Sequence, residues 1–504
     1  MSENVLAQQL GLLPDYMAHH LLLSLAALGS AILICVPLAV LVARTKSLQW
    51  PVLGLTSVVQ TIPGLALLAL MVPLLGTIGF LPAYIALVLY SMLPILRNGV
   101  TGILGVDPAV LEAARAVGMS PNQMLVRVEF PLAAPVIIAG IRTATVWCVG
   151  TATLATPVGA TSLGNYIFSG LQTQNFTAVT LGCIAAASLA IVLDQLIALI
   201  ERAAIRRSLS RAIAAGAGIL LLTGFAVSPL FTGARATHTQ AEFVVGAKTF
   251  TEQYILAGLL TDELGKAGIP VTSKSSLGST ILFDALAADQ VDCYVDYSGT
   301  LWANIMKRSD HLDRNKVLDS IAVFLKQNYG IVSLGTLGFE NTYALAMRRQ
   351  KAERLGIKTV GELSRVAPTL TIGSDYEFFS RPEWSALKRA YGLHFKHQLT
   401  FDPSLMYSAV KEGSVDVISA YSTDGRIAAY DLVVLADPKG ALPPYDAVLL
   451  LSPEAASRSD VVDVLRPLAG SIDDKTMREA NRIVDIDGQP VDAAVRFLHH
   501  ALAR

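Results

Sequence analysis

Hydrophobic positions divide this chain into two halves with different periodicities. Up to about residue 231 they come in long runs, and six reach the roughly 20 residues that a membrane-spanning helix needs: residues 21–43, 52–75, 78–96, 132–158, 179–200 and 212–231. Prolines at 37, 63, 94 and 135 lie inside or at the ends of these runs, where neighbouring helices can satisfy the backbone groups they free. From Glu242 the runs shorten to strand length and alternate with helical patterns: FVVGAK, a helix from Tyr254 to Lys266, IPVTSK, a helix from Thr280 to Asp289, then VDCYVDY. A second series holds LTIGS, a helix around Arg381 to Tyr391, and VDVISAY. The expected fold is therefore an all-α six-span domain (1–231), a linker (232–241) and an α/β domain of two lobes (242–504). Lobe 1 is expected at 242–341 with 446–504, and lobe 2 at 342–445.

Composition fits this division. The 504 residues are 53% hydrophobic and 16% charged, and most of the charge lies beyond residue 241, so the second half reads as a soluble domain. In the first half Arg and Lys fall at 44 and 46, at 97, 115, 127 and 142, and at 202, 206, 207 and 211, in every second connection. Such connections stay on the cytoplasmic side, which puts the N-terminus and the α/β domain outside a cell inner membrane. The first run lacks a basic leader and is followed directly by further spans, unlike a cleaved signal peptide. Of the four cysteines only Cys293 falls in the α/β domain, so no disulfide is expected within it. The histidine-bearing stretches, His19-His20, His394 with His397 and His499-His500, form no metal-ligand set with Cys or acidic partners. No metal site and no nucleic-acid partner is expected.

The segment between the third and fourth runs is too long for a turn. Asp107 and Pro108 start a helix in which Leu111, Ala114 and Val117 recur at helical spacing, Gly118 breaks it, and Ser120 with Pro121 starts a second. Glu112, Ala113, Ala114, Gly118, Val128 and Pro131 resemble the EAA signature of ABC importer permeases, with a coupling loop over about 97–131. That resemblance implies a type I permease whose loop docks on a cytoplasmic ABC ATPase, and a homodimer, since six spans line half a pore. No G-x-x-x-x-G-K-[ST] phosphate loop occurs; Gly246-Ala247-Lys248-Thr249 lacks its upstream glycine. The chain is thus expected to be no enzyme and to hold no cofactor, with ATP and Mg used by the separate ATPase.

The segments AKTFTEQYILAGLL, SLGSTILFDAL, VDYSGTLW, FENTYALAM, GSDYEFFSRPEW, AYSTDGRI and PPYDAVLL are similar to the binding proteins for glycine betaine, carnitine, choline and related quaternary amines, a group that includes fused permease-receptor chains for betaine-like compounds and ergothioneine. A trimethylammonium group donates no hydrogen bond and is recognised by enclosing aromatic faces worth roughly 0.5–2 kcal/mol each. The resemblance assigns Tyr297, Tyr343, Tyr421 and Tyr445 to such a cage and Lys248, Thr300 and Arg381 to a ligand carboxylate. These cations point to a zwitterion, because choline has no carboxylate to offset their desolvation. Choline or ergothioneine remains an alternative cargo, and a ligand-gated osmolyte sensor the alternative of another class. Trp302 and Asp296 flank the cage, QTIP at 60–63 carries no assigned transport role, and Asp194 is expected to face protein or to snorkel.

Overall fold

The computed structural model describes residues 2–173, 175–206, 208–233, 242–308, 310, 313–375 and 377–502. It divides into two compact units, residues 1–168 with 177–237 and residues 169–176 with 238–504. Most of the expected linker, residues 234–241, lies outside the described residues.

In the helical unit α1 runs Ser2–Arg44, far upstream of the expected start at residue 21. The second run is not one helix. It is broken into α2 (Lys46–Thr61) and α3 (Gly64–Leu75), bent by 101°. Pro63 is the cause: it has no N–H to continue the ladder and holds Ile62 extended at ψ 128°. The Tyr90 hydroxyl donates to the freed carbonyl of Ile62. The QTIP sequence therefore marks a sharp corner, and among the described residues the unit has five helices long and apolar enough to cross a membrane, or six spans with the bent pair as one.

Beyond the corner, α4 (Phe80–Leu104) continues past the expected end at residue 96. The helical hairpin follows as α5 (Pro108–Ala116) and α6 (Pro121–Met124). Asp107 caps α5 by accepting from the Ala109 N–H, and Ser120 with Gln123 forms a capping box on α6. Gly118 sits between them at φ 79°, a left-handed conformation that favours glycine. A π-helical turn, Leu125–Glu129, joins the second arm to α7 (Phe130–Ala152), so hairpin and span are continuous. The short α8 (Gly164–Gln172), absent from the hydropathy pattern, precedes α9 (Phe176–Arg206) and α10 (Leu209–Gly233).

Among the described residues, five charged residues of the helical unit pair across helices. Arg142 on α7 makes a two-bond fork to Asp194 at 2.9 and 3.0 Å and reaches Glu201 at 2.9 Å, both on α9. Asp194 thus faces protein. Arg44, at the end of α1, grips buried Glu129 through both carboxylate oxygens at 2.8 and 2.7 Å, fastening α1 to the base of the hairpin.

The α/β unit contains two five-stranded sheets. The first has the order β2-β1-β3-β10-β4. Its strands are β1 (Phe243–Lys248), β2 (Val271–Leu277), β3 (Cys293–Tyr297), β4 (Val332–Glu340) and β10 (Asp446–Leu451). The second has the order β7-β6-β8-β5-β9, with β5 (Tyr343–Arg348), β6 (Thr371–Ser374), β7 (His397–Thr400), β8 (Val417–Tyr421) and β9 (Leu432–Val434). In the first sheet β1 pairs parallel with β2 and β3, while β10 lies antiparallel between β3 and β4. Strands β3 and β10 are buried at every position and are apolar apart from Asp296 in β3 and Asp446 at the start of β10. The chain passes from the first sheet to the second between Glu340 and Tyr343 and returns between Val434 and Asp446, so two connections link the lobes.

Candidate ligand-binding site

The expected binding residues lie at strand ends between the two lobes. Tyr343, first residue of β5, is paired in register with Tyr421, last residue of β8. Directly opposed residues on antiparallel strands bring their side chains together; the ring centroids are 5.0 Å apart and the hydroxyls 3.3 Å apart. Tyr445, just before β10, stands edge-on to Tyr343 at 5.6 Å. Gly299 permits this arrangement, since a Cβ there would lie 2.4 Å from the Tyr445 ring. Tyr297, last residue of β3, joins the group through Phe250, whose ring lies 6.0 Å from both Tyr297 and Tyr421 and is stacked on the latter. Phe250 sits in the quoted segment AKTFTEQ, but its proximity to tyrosines on distant strands is a tertiary fact.

Arg381 precedes Pro382, the first residue of the helix Pro382–Tyr391, and is buried. Its guanidinium lies 5.1 Å from the Tyr343 ring centre and donates to Thr300 Oγ1 at 3.1 Å. It also reaches Glu377 at 3.0 Å and Glu383 at 3.4 Å. Burial alone disfavours the Arg381 cation, but Tyr343, Tyr445, Glu383 and Glu377 around it hold it charged, above the ordinary arginine range. Arg381 and Thr300 thus come together beside the tyrosines.

Lys248 is placed differently. Its ammonium forms a buried ion pair with Asp296, which also accepts from the Tyr294 hydroxyl at 2.5 Å. The Lys248 charge is therefore neutralised by the protein, 5.7 Å from the Tyr297 ring centre. Asp296, read as a flanking residue, is that partner.

Three buried carboxylates were missed from the sequence as parts of this region. Asp375 accepts from the Tyr421 hydroxyl at 3.2 Å and caps the following turn through the Phe378 N–H at 2.9 Å. Glu383 accepts from the Tyr445 hydroxyl. Glu252, near the start of α11 (Thr251–Lys266), accepts four hydrogen bonds from both lobes. They come from Tyr297 at 2.6 Å, Asn341 at 2.8 Å, Thr423 at 2.6 Å and Asn481 at 2.9 Å. Burial pushes the Glu252 pKa up, and its four donors work against that shift. Burial also raises the Tyr297, Tyr343, Tyr421 and Tyr445 phenols, so all four stay protonated and donate.

On the hairpin of the helical unit Glu112, Ala113 and Gly118 are exposed, Ala114 is buried, and Pro131 is exposed at the start of α7. Val117 is also 73% exposed, an apolar residue at the tip beside the Gly118 break.

Two α/β lobes joined by two connections, with an aromatic cluster and a buried arginine between them, define a solute receptor, here continuous with a membrane permease. The family model for the substrate-binding domain of ABC-type glycine betaine transport systems matches residues 241–500, and the model for the inner-membrane component of binding-protein-dependent transport systems matches residues 35–206. The chain is 30% identical to an ergothioneine transport permease/ergothioneine binding protein of Helicobacter pylori (strain G27), across 86% of this chain and 80% of that protein. It is 45% identical to a choline transport system permease protein of Bacillus subtilis (strain 168), across 36% of this chain and 84% of that protein. A crystal structure titled as a glycine betaine/carnitine/choline ABC transporter aligns at TM-score 0.45 and 28% identity, over 52% of this chain and 100% of that one.

The chain belongs to the fused permease and substrate-binding proteins of the glycine betaine/carnitine/choline type of ABC importer. It is an inner-membrane transport protein of non-enzymatic families.

Proposed function

We propose that the chain imports a small trimethylammonium zwitterion, which its receptor domain captures by closing lobe 1 (242–341 and 446–504) and lobe 2 (342–445) on it. The observation that carries this reading is the juxtaposition of Tyr343, Tyr421 and Tyr445 with Arg381 and Thr300. Electron-rich faces suit a methylated cation, and the guanidinium suits a carboxylate. Asp375 adds negative charge behind the rings, which favours the cation further.

The receptor and N-terminus lie on the extracytoplasmic side, a reading supported by the arginines and lysines in alternate connections. A separate cytoplasmic ATPase hydrolyses ATP with Mg and docks on the hairpin at Glu112, Ala113, Ala114 and Gly118, with Pro131 at its base. Two copies of the chain form the translocation path across the bilayer. The exposed Glu112, Ala113 and Val117 supply the mixed polar and apolar surface that such docking needs. A second reading, ergothioneine itself, is favoured by the relative named for that compound, which is similar across both halves of the chain.

Calorimetry of the purified full chain with a trimethylammonium zwitterion tests the site. Replacing Tyr421 and Tyr445 together with alanine abolishes the binding signal; unchanged affinity rejects the cage.

A further inference from the structure

Each of the two charged residues beside Tyr343 and Tyr445 keeps one polar atom without a partner. Glu383 is 1% exposed, and its Oε1 accepts from Tyr445 while its Oε2 accepts no hydrogen bond among the described residues. Arg381 donates through both terminal nitrogens, yet its Nε–H is buried and unpaired among the described residues. A buried polar group left unsatisfied carries its full desolvation cost, so an acceptor and a donor this close together are a demand on whatever occupies the site. The Arg381 N–H asks for a carboxylate oxygen, which any betaine-type zwitterion supplies. Glu383 Oε2 asks for a hydrogen-bond donor. A trimethylammonium group has none, and glycine betaine as a whole has none.

The space beside these residues points the same way. Glu383 lines a cavity of about 170 Å³ together with Trp302, Pro382, Ala386, Leu442 and Pro444. Its wall is largely apolar and comes from both lobes and from the connection before β10, and Glu383 is the residue shared between this cavity and the Arg381–Tyr445 cluster.

We propose that Glu383 is a specificity determinant: it selects trimethylammonium zwitterions whose remaining part carries an O–H or N–H donor, such as a hydroxyl or an azole ring nitrogen, over glycine betaine. This rests on the reading of the aromatic cluster as the cation site. A site built to accept a ligand donor rejects the analogue that lacks it, because the analogue leaves a buried carboxylate oxygen unpaired.

The test is calorimetry of the full chain in lipid nanodiscs with glycine betaine, carnitine (hydroxyl donor) and ergothioneine (ring N–H donor). At least one donor-bearing ligand binds roughly tenfold or more tightly than glycine betaine. In Glu383→Gln that ratio shrinks toward one. In Glu377→Gln, which removes the more exposed carboxylate partner of Arg381, the ratio persists. Equal or tighter binding of glycine betaine by the wild type overturns the proposal without any variant and leaves the cation site standing. A ratio that survives Glu383→Gln, or falls equally in Glu377→Gln, also overturns it. Failure of the wild type to bind any of the three instead removes the trimethylammonium reading beneath it.

Discussion

The charges that bridge helices in the permease and the charges at the receptor's binding site are handled in opposite ways. In the helical unit Arg142 is closed by Asp194 and Glu201, and Arg44 by Glu129, each through two or more bonds at 2.7–3.0 Å. Between the receptor lobes, Arg381 and Glu383 touch only at 3.4 Å, and each keeps a buried atom unpaired among the described residues. Hydrocarbon offers no solvent to an exposed charge, so charge in the permease is consumed in holding helices together. A receptor that opens to water and closes on a ligand can leave part of its hydrogen bonding for the ligand to complete. Lys248 lies in the receptor yet behaves like the permease charges, paired to Asp296 and structural.

The contrast can be broken in graded steps. The largest effect is expected at the hairpin: Gly118→Val forces a β-branched residue into φ 79° and abolishes uptake in proteoliposomes supplied with the ATPase, while ligand affinity stays at the wild-type value. Normal uptake would remove the coupling role. Next, Arg381→Ala weakens zwitterion binding roughly ten- to hundredfold by calorimetry. Lys248→Met leaves Asp296 buried without its cation and destabilises the receptor by roughly 3–5 kcal/mol in denaturant melts. In that variant the preference for carboxylate-bearing over carboxylate-free ligands is unchanged; a lost preference would return Lys248 to the binding set. Tyr421→Ala alone costs about 0.5–2 kcal/mol of affinity.

A pH dependence is expected at Asp485, where burial pushes the carboxyl up to about 7 from an ordinary value of 3.8. Its native pKa is the higher one, so the native state binds the extra proton between these values. The resulting stability is complete below about pH 4 and lost as pH rises through about 7. Asp485→Asn flattens that slope, raising the melting temperature relative to wild type more at pH 8 than at pH 4.

Hydropathy made the helical unit legible because lipid demands long apolar runs, and the hairpin was legible because Asp107, Gly118 and Ser120 act through neighbouring backbone. The corner at Pro63 was not, since a proline in an apolar run is compatible with either a tolerated kink or a break, and the Tyr90 hydroxyl that satisfies the freed Ile62 carbonyl lies 28 positions away. In the receptor the strand-helix rhythm was readable, but the insertion of β10 between β3 and β4 depends on residues far apart in the chain. Tyr343, Tyr421, Tyr445, Thr300 and Arg381 were found through their motifs and do meet. Phe250, Asp375 and Glu383 stood in the same motifs and were passed over, because an aromatic or acidic residue acquires its role only from the partner opposite it. Lys248 was read by its sign, and its neutralising partner lies 48 positions away.

The central claim is that the receptor recognises a methylated cation by its charge. Calorimetry of the full chain with a trimethylammonium zwitterion, and with the carboxylate in which an uncharged tert-butyl group replaces the trimethylammonium, tests it directly. The two have the same shape and share the carboxylate, and only one offers a cation to Tyr343, Tyr421 and Tyr445. The zwitterion binds and its tert-butyl counterpart binds at least about tenfold more weakly; equal affinity would contradict the account.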